Sequence, residues 1–216
     1  MEQEAYQIRI LDLVSAESGQ KVLVVNTTND TFVHDLQKKG FLVERNQGED
    51  TKCNEYDLIF LFGMDVQGGM SDVTNCLQKF MHRLKPNGQL LWCVDNKLGM
   101  KYWSGMQYEK GGFFRTLESE ETELLDVTSY RTLIEILDCV VKNRYAVYYP
   151  YPDYRYPLTI YSDAWLPHKG DLENFEFNFE YFKYRLFDES KVWNNIIAEG
   201  LFREFANSFI VLIERS

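Results

Sequence analysis

An α/β fold is what the sequence predicts: a mainly parallel sheet flanked by helices, ending in antiparallel strands and an aromatic-rich C-terminal insertion. Three observations carry this. Short continuous apolar runs, Lys21 to Asn26 (KVLVVN) and Tyr56 to Phe62 (YDLIFLF), read as strands buried on both faces. Stretches with apolar residues at helical spacing lie between such runs. In the C-terminal third, Phe175, Phe177, Phe179 and Tyr181 alternate with Glu176, Asn178 and Glu180, the period of a half-exposed strand.

The elements follow in order. After the first strand, Asp30 to Lys39 places Phe32, Val33 and Leu36 on one helical face, and Gly40 is a helix stop. Phe41 to Arg45 reads as the second strand and Tyr56 to Phe62 as the next. Ser71 to Leu84 is a helix with Val73, Leu77, Phe80, Met81 and Leu84 inward, capped by Ser71 or Asp72. Lys85-Pro86-Asn87-Gly88 reads as a turn into the strand Gln89 to Val94. Thr128 or Ser129 opens a helix running to Val141. Arg144 to Tyr149 is a strand, Ser190 to Glu199 a helix stopped by Gly200, and Asn207 to Glu214 a last strand. Strands alternating with helices make the layout Rossmann-like.

Composition narrows the function classes. The 216 residues suffice for a core without disulfides or metals. A net charge of −10 argues against general nucleic-acid binding and against anionic membrane surfaces. No apolar run approaches the roughly 20 residues of a membrane span, and Met1 to Ile10 lacks the pattern of a signal peptide. Cys53, Cys76, Cys93 and Cys139 show no metal spacing and read as reduced thiols of a cytoplasmic protein, mostly core filler. Aromatics are unusually dense, with 14 Tyr, 15 Phe and 4 Trp. They read mainly as core, with some rings walling a ligand site.

In such a sheet, ligands sit beyond the C-terminal strand ends. The first turn, Asn26-Thr27-Thr28-Asn29-Asp30, has no glycine; its polar side chains can meet a ligand or cap the following helix. Glu44 lies 18 residues past Asn26, near the spacing of a carboxylate that holds a ribose diol. Gly63, Met64 and Asp65, with Gly68 and Gly69, form a loop at the next strand end. The densest segment is Asp95 to Gly105, where Asp95, Asn96, Lys97, Lys101 and Tyr102 follow one strand. His34 and His82 read as surface residues, and His168, after the Leu166-Pro167 turn, is a candidate to enter the crevice as a base.

These residues carry a resemblance. The plan, with the Leu84 to Leu90 turn, is similar to class I S-adenosylmethionine-dependent methyltransferases. Asp95 to Gly105, Tyr149-Pro150-Tyr151-Pro152-Asp153-Tyr154, Ser162-Asp163 with Leu166-Pro167, and Gly200-Leu201-Phe202 with Asn207-Ser208-Phe209 resemble methyltransferase domains of bacterial surface-polysaccharide assembly proteins. The likeness runs from about Lys21 to Glu214. It implies one methyltransferase-like domain over residues 1–216, with a cofactor half to about residue 105 and an acceptor half from about 106. It further implies methyl transfer from S-adenosylmethionine to a glycan or glycan precursor. Asn26, Thr27, Asn29, Glu44, Gly63 and Met64 would then hold the cofactor. Asn96, Lys97, Lys101, Tyr102, Tyr149, Tyr151, Asp153 and Tyr154 would hold the acceptor, the lysines suited to anionic groups. Asp65, Asp95 or His168 would be the base. A glycosyltransferase or a second copy of the chain are the expected partners. The superfamily's glycine-rich first turn is replaced, and Asn46 to Glu55 is too short and polar for the usual third strand and helix. These departures leave a second reading: a non-catalytic binding or assembly module.

Overall fold

A computed structural model describes residues 3–27, 29–46, 55–64, 69–106, 112–119, 127–141, 144–173 and 186–215. One sheet organises the chain. Its order is β2-β1-β3-β4-β8-β6-β7, with β5 pairing β4. Strands β1 (Lys21–Val25), β2 (Leu42–Asn46), β3 (Tyr56–Phe62), β4 (Leu84–Asn96) and β5 (Val127–Thr128) pair in parallel. β8 (Ser208–Glu214) is antiparallel to β4 and to β6 (Tyr145–Tyr151), so β6 runs in the direction of β4. β7 (Thr159–Ser162) returns antiparallel beside β6.

Alternation along the central strands separates two apolar layers. Leu23, Ile59, Leu90, Trp92 and Val211 face α2 (Met70–Arg83), α5 (Tyr130–Val141), α6 (Glu189–Ala198) and the single turn α7 (Phe202–Phe205); two further single turns, α3 (Met100–Trp103) and α4 (Arg115–Glu118), come between β4 and β5 in the chain. Val22, Val24, Phe60, Leu91 and Ile210 face α1 (Asp30–Lys38) and the N-terminal 3₁₀ segment Gln3–Leu13, which contributes Ile10. Burial on both faces is why these strands read as continuous apolar runs.

The predicted helices and strands are found within a few residues, and the differences have local causes. Asn29 caps α1, its Oδ1 accepting from the Phe32 N–H at 2.9 Å. α2 starts one residue earlier than expected, after Gly69, so neither Ser71 nor Asp72 is its cap. The Lys85 to Gly88 stretch is not a free turn. It belongs to the head of β4, where Asn87 takes φ +63° and the register to β3 shifts. β2 ends at Asn46 rather than Arg45. Of the cysteines described, Cys93 is core, Cys76 half-buried and Cys139 exposed, so the last is not core filler. Cys53 and the alternating segment from Phe175 to Tyr181 lie outside the described residues. No helix among the described residues is long and apolar enough to cross a membrane.

Candidate functional site

β1, β3, β4 and β6 end at one edge of the sheet. The strand order changes direction at β1, which has β2 on one side and β3 on the other, and a crevice forms at such a switch point. Both strands leave this edge abruptly: Asn26 follows β1 at φ +56° and Gly63 follows β3 at φ +67°. Left-handed backbone is natural for glycine, and Asn is among the few side-chain-bearing residues that tolerate it. The first turn therefore bends as a glycine turn would, although it contains no glycine.

The side chains of that turn have intramolecular partners. Thr27 Oγ1 accepts from the Asn29 N–H at 3.1 Å, and Asn29 Nδ2 donates to Gln7 Oε1 at 2.7 Å. Arg45 donates to the Asn29 carbonyl at 3.4 Å and pairs with Asp30 at 2.6 Å. Thr28 and Asp65 lie outside the described residues. Met64 is core, packed with the layer that faces α2 and α5, and so is not an open cofactor contact.

Glu44 is not at the crevice. It stands opposite Leu23 in mid-strand, and its carboxylate turns toward the opposite pole of the sheet. There it accepts from Tyr56 Oη at 2.5 Å and pairs with Lys21 Nζ at 2.9 Å, beside Glu55, which also pairs with Lys21. Hydrogen bonds from Lys21 to Glu55 and Glu44 raise the Lys21 pKa; burial, then Glu44, pushes Tyr56 up to about 12. Spacing from Asn26 misled because β2 extends one residue further than its sequence pattern shows. The residue at its crevice end, opposite Val25, is Asn46.

The ends of β4 and β6 are built differently. Asp95 closes β4, Asp153 follows β6, and Lys101 comes from α3 (Met100–Trp103). Lys101 Nζ lies 2.7 Å from Asp95 Oδ1 and 2.7 Å from Asp153 Oδ2. Arg155 Nη1 donates to Asp95 Oδ1 and to Asp153 Oδ1, each at 3.0 Å, and Nη2 to Asp95 Oδ2 at 3.2 Å. Tyr102 Oη completes Asp95 at 3.3 Å. Lys101 and Asp153 are fully buried, whereas the Arg155 side chain is 21% exposed. Arg155 is thus the most solvent-exposed charged member of this network, and its guanidinium lies over the Tyr154 ring at 4.4 Å. Tyr154 in turn packs on Phe62 at the end of β3, which joins the two sides of the crevice.

Burial alone would raise the Asp95 carboxyl. Arg155 and Lys101 outweigh it and hold the group at about 2. A carboxylate so deeply stabilised supports its neighbours electrostatically and is a poor proton acceptor.

Asn207 and Asn96 set the surrounding loops. Asn207 Oδ1 accepts from the Lys101 N–H at 2.7 Å, and its Nδ2 donates to the Pro152 carbonyl at 2.8 Å. Asn96 Nδ2 donates to the Glu204 and Ala206 carbonyls at 2.8 and 2.7 Å. A Cβ on Gly99 would stand 3.0 Å from the Asn207 Cα, so any other residue would push these two backbone segments apart by a few tenths of an ångström.

Several expected acceptor contacts are corrected by this geometry. Asn96 is a buried staple between chain segments. Lys101 is neutralised inside the protein, and Lys97 Nζ donates to the Ser119 carbonyl at 2.6 Å, so neither lysine waits for an anionic acceptor. Tyr149 and Tyr151 lie on the α6–α7 side because residues two apart share a face. Tyr149 is core against Phe202 and Phe209 with its hydroxyl on Asp163, and Tyr151 meets Trp193 and donates to the Glu173 carbonyl. Tyr102 and Tyr154 are buried in the network, so they shape the crevice rather than offer free faces. His168 is placed outside the crevice. It follows β7, which runs away from the shared edge, and its side chain is 82% exposed beside Asp171. Sequence reading missed Arg155, which sits one residue past the Tyr149 to Tyr154 motif, and gave Asn207 no role.

S-adenosylmethionine, the cofactor implied by the resemblance, meets a mixed fit. The left-handed exits at Asn26 and Gly63 suit close approach of a ligand to backbone. Glu44, the carboxylate expected at the ribose, is engaged with Lys21 and Tyr56 instead. No group of His, Cys, Asp and Glu that could hold a metal occurs among the described residues.

No protein-family model and no curated protein matches the sequence. Solved structures match the fold across the whole chain. An S-adenosylmethionine-dependent methyltransferase of Archaeoglobus fulgidus aligns with 99% of this chain and 94% of its own, at 10% identity and TM-score 0.55. A Haloferax volcanii methyltransferase, solved with the Trm112 methyltransferase activator, aligns with 99% and 90%, at 13% identity and TM-score 0.54. Phosphoethanolamine N-methyltransferase 2 of Haemonchus contortus, bound to S-adenosylmethionine, aligns with all of this chain and 52% of its own, at 12% identity and TM-score 0.51. The chain has the Rossmann-like methyltransferase fold.

Proposed function

We propose that the chain binds S-adenosylmethionine across the ends of β1 and β3 and catalyses methyl transfer to an acceptor at the ends of β4 and β6. The observation that carries this reading is the pair of left-handed strand exits, Asn26 and Gly63, flanking the switch point of a methyltransferase-type sheet. Asn26, Thr27 and Gly63 would lie along the cofactor. The bound cofactor supplies an electrophilic methyl group. The protein's own task is to hold the acceptor in line with that group. Arg155, locked by Asp95 and Asp153 and braced by the Tyr154 ring, would turn its exposed edge to the acceptor. Asp95 stays ionised and fixes Arg155 and Tyr102. Asp65 is kept as the candidate base. The Asp95–Gly105 and Tyr149–Tyr154 likeness to polysaccharide-assembly proteins supports a glycan or glycan precursor as acceptor, in one domain working in the cytoplasm.

A second reading, the non-catalytic assembly module, is favoured by one specific observation. Gln7, Asn29, Thr27 and Arg45 already occupy the first turn with intramolecular bonds. In that case a glycosyltransferase, or a second copy of the chain, is the partner. Calorimetric titration with S-adenosylhomocysteine separates the two. Saturable micromolar binding supports the enzyme; no heat at millimolar ligand rejects it in favour of the module.

A further inference from the structure

The Ser162-Asp163 and Leu166-Pro167 motif takes no part in the crevice, yet it builds a distinct surface. Ser162 and Trp165 exchange backbone hydrogen bonds at 3.1 and 3.0 Å, which closes a tight turn after β7. The turn holds Trp165 outward, 53% exposed, with the Tyr161 ring propping it at 4.8 Å between centroids. Asp163, in the same turn, pairs with Arg203 of α7 at 2.6 Å. The other end of α7 carries Phe205, which packs at 6.4 Å against Trp103, a second indole that is 44% exposed and lies on α3 at the crevice rim. α7 is one turn, about 6 Å long. Two exposed indoles are therefore joined through one short helix, with an acid–base pair between them.

We propose that this strip is a saccharide-binding track that leads from the crevice rim at Trp103 to Trp165. The chemistry of the strip selects the ligand class. A protein-docking patch is a contiguous apolar area, whereas here apolar ring, charged pair and apolar ring follow one another. A sugar has a matching division. Its axial C–H face stacks on an indole, and its rim of hydroxyls bonds to the Asp163–Arg203 pair, the carboxylate accepting and the guanidinium donating. The net charge of −10 disfavours an anionic membrane as occupant. The track rests on the glycan part of the reading above and is independent of cofactor binding. It would hold the part of a glycan that does not react.

Saturation-transfer NMR tests it on the full chain with methyl glycosides of glucose, mannose, galactose and rhamnose. Ring C–H protons of at least one glycoside should be saturated by the protein. Trp165→Ala should lower that affinity about tenfold, comparable with the loss of a stacking ring elsewhere, and Trp165→Phe should restore most of it. A neutral Trp103→Ala effect would shorten the track and overturn its link to the crevice. No transfer to any of the four glycosides, or transfer that survives Trp165→Ala, overturns the site itself. Titration of the wild type with S-adenosylhomocysteine keeps the two ideas apart. Sugar binding without cofactor binding rejects methyl transfer alone, and cofactor binding without sugar binding rejects the track alone.

Discussion

The two sides of the crevice are held by different physics. At the ends of β1 and β2 the contacts are local and half-exposed: a cap, a two-residue hydroxyl bond, an arginine over a carbonyl. At the ends of β4 and β6, four charged groups and a tyrosine from three chain segments are sealed into one network. Local contacts can be exchanged residue by residue at little cost. A buried network fails when any member is removed. The side with the fixed network is also the side whose motifs carry the resemblance, and the side with exchangeable contacts is where the sequence departs from it.

Removing Lys101 breaks this contrast most sharply. Lys101→Met leaves Asp95 and Asp153 buried with Arg155 as their remaining charged partner, and should cost about 3–5 kcal/mol in urea unfolding. Adding Asp153→Asn should recover part of the loss. A cost below about 1 kcal/mol would place the network in water.

Acid should act on the same side. Asp95 has a folded pKa of about 2, below the roughly 3.9 of an unfolded aspartate. A depressed folded pKa means that its contribution is complete above about pH 4 and is lost as pH falls toward 2, by about 2 kcal/mol. Urea midpoints measured across that window should fall more steeply for the wild type than for Asp95→Asn. Parallel curves would remove Asp95 as the acid-sensitive group.

This contrast also explains what the sequence disclosed. Apolar runs and helical stripes report burial, so β1, β3, α1, α2, α5, α6 and β8 were legible to within a few residues. The single turns α3 and α7 and the edge strand β7 were not, since their placement depends on tertiary contacts such as Asn207 with Lys101 and Arg203 with Asp163. In the site, the Asp95 to Gly105 segment was legible as dense chemistry, but not as internally neutralised chemistry. Asp153 and Arg155 lie more than 50 residues from Asp95, at separations of 58 and 60 in the numbering, and no local pattern pairs them. Glu44 failed for the opposite reason: a spacing rule located it along the chain, while the register to β1 set it in mid-strand, where Lys21 and Tyr56 hold its carboxylate.

Glu44→Gln sharpens that last point with a smaller effect. The Lys21–Glu44 pair is partly exposed, with side-chain exposures of 25% and 43%, so its loss should cost about 1 kcal/mol or less. Affinity for S-adenosylhomocysteine should be unchanged. A tenfold weakening, about 1.4 kcal/mol, would return Glu44 to the cofactor site and require β2 to shift by two residues.

Asn26→Gly is expected to change stability least of all and still to inform most on the weaker side of the crevice. At φ +56° glycine relieves the left-handed cost of a side chain, while it raises the entropy of the unfolded chain. These oppose one another, so the net change should lie within about 0.5 kcal/mol. Asn26→Val separates backbone from side chain, since a β-branched residue is strained in that conformation and should cost about 1–2 kcal/mol. If the cofactor lies along this backbone, Asn26→Gly keeps or tightens S-adenosylhomocysteine binding, because the turn keeps its bend and loses only side-chain bulk, and Asn26→Val weakens it. Equal affinities in all three proteins would mean that the ligand does not touch the exit of β1. The bent turn would then be a relic of the fold, and the bonds among Gln7, Asn29 and Arg45 would mark a closed surface.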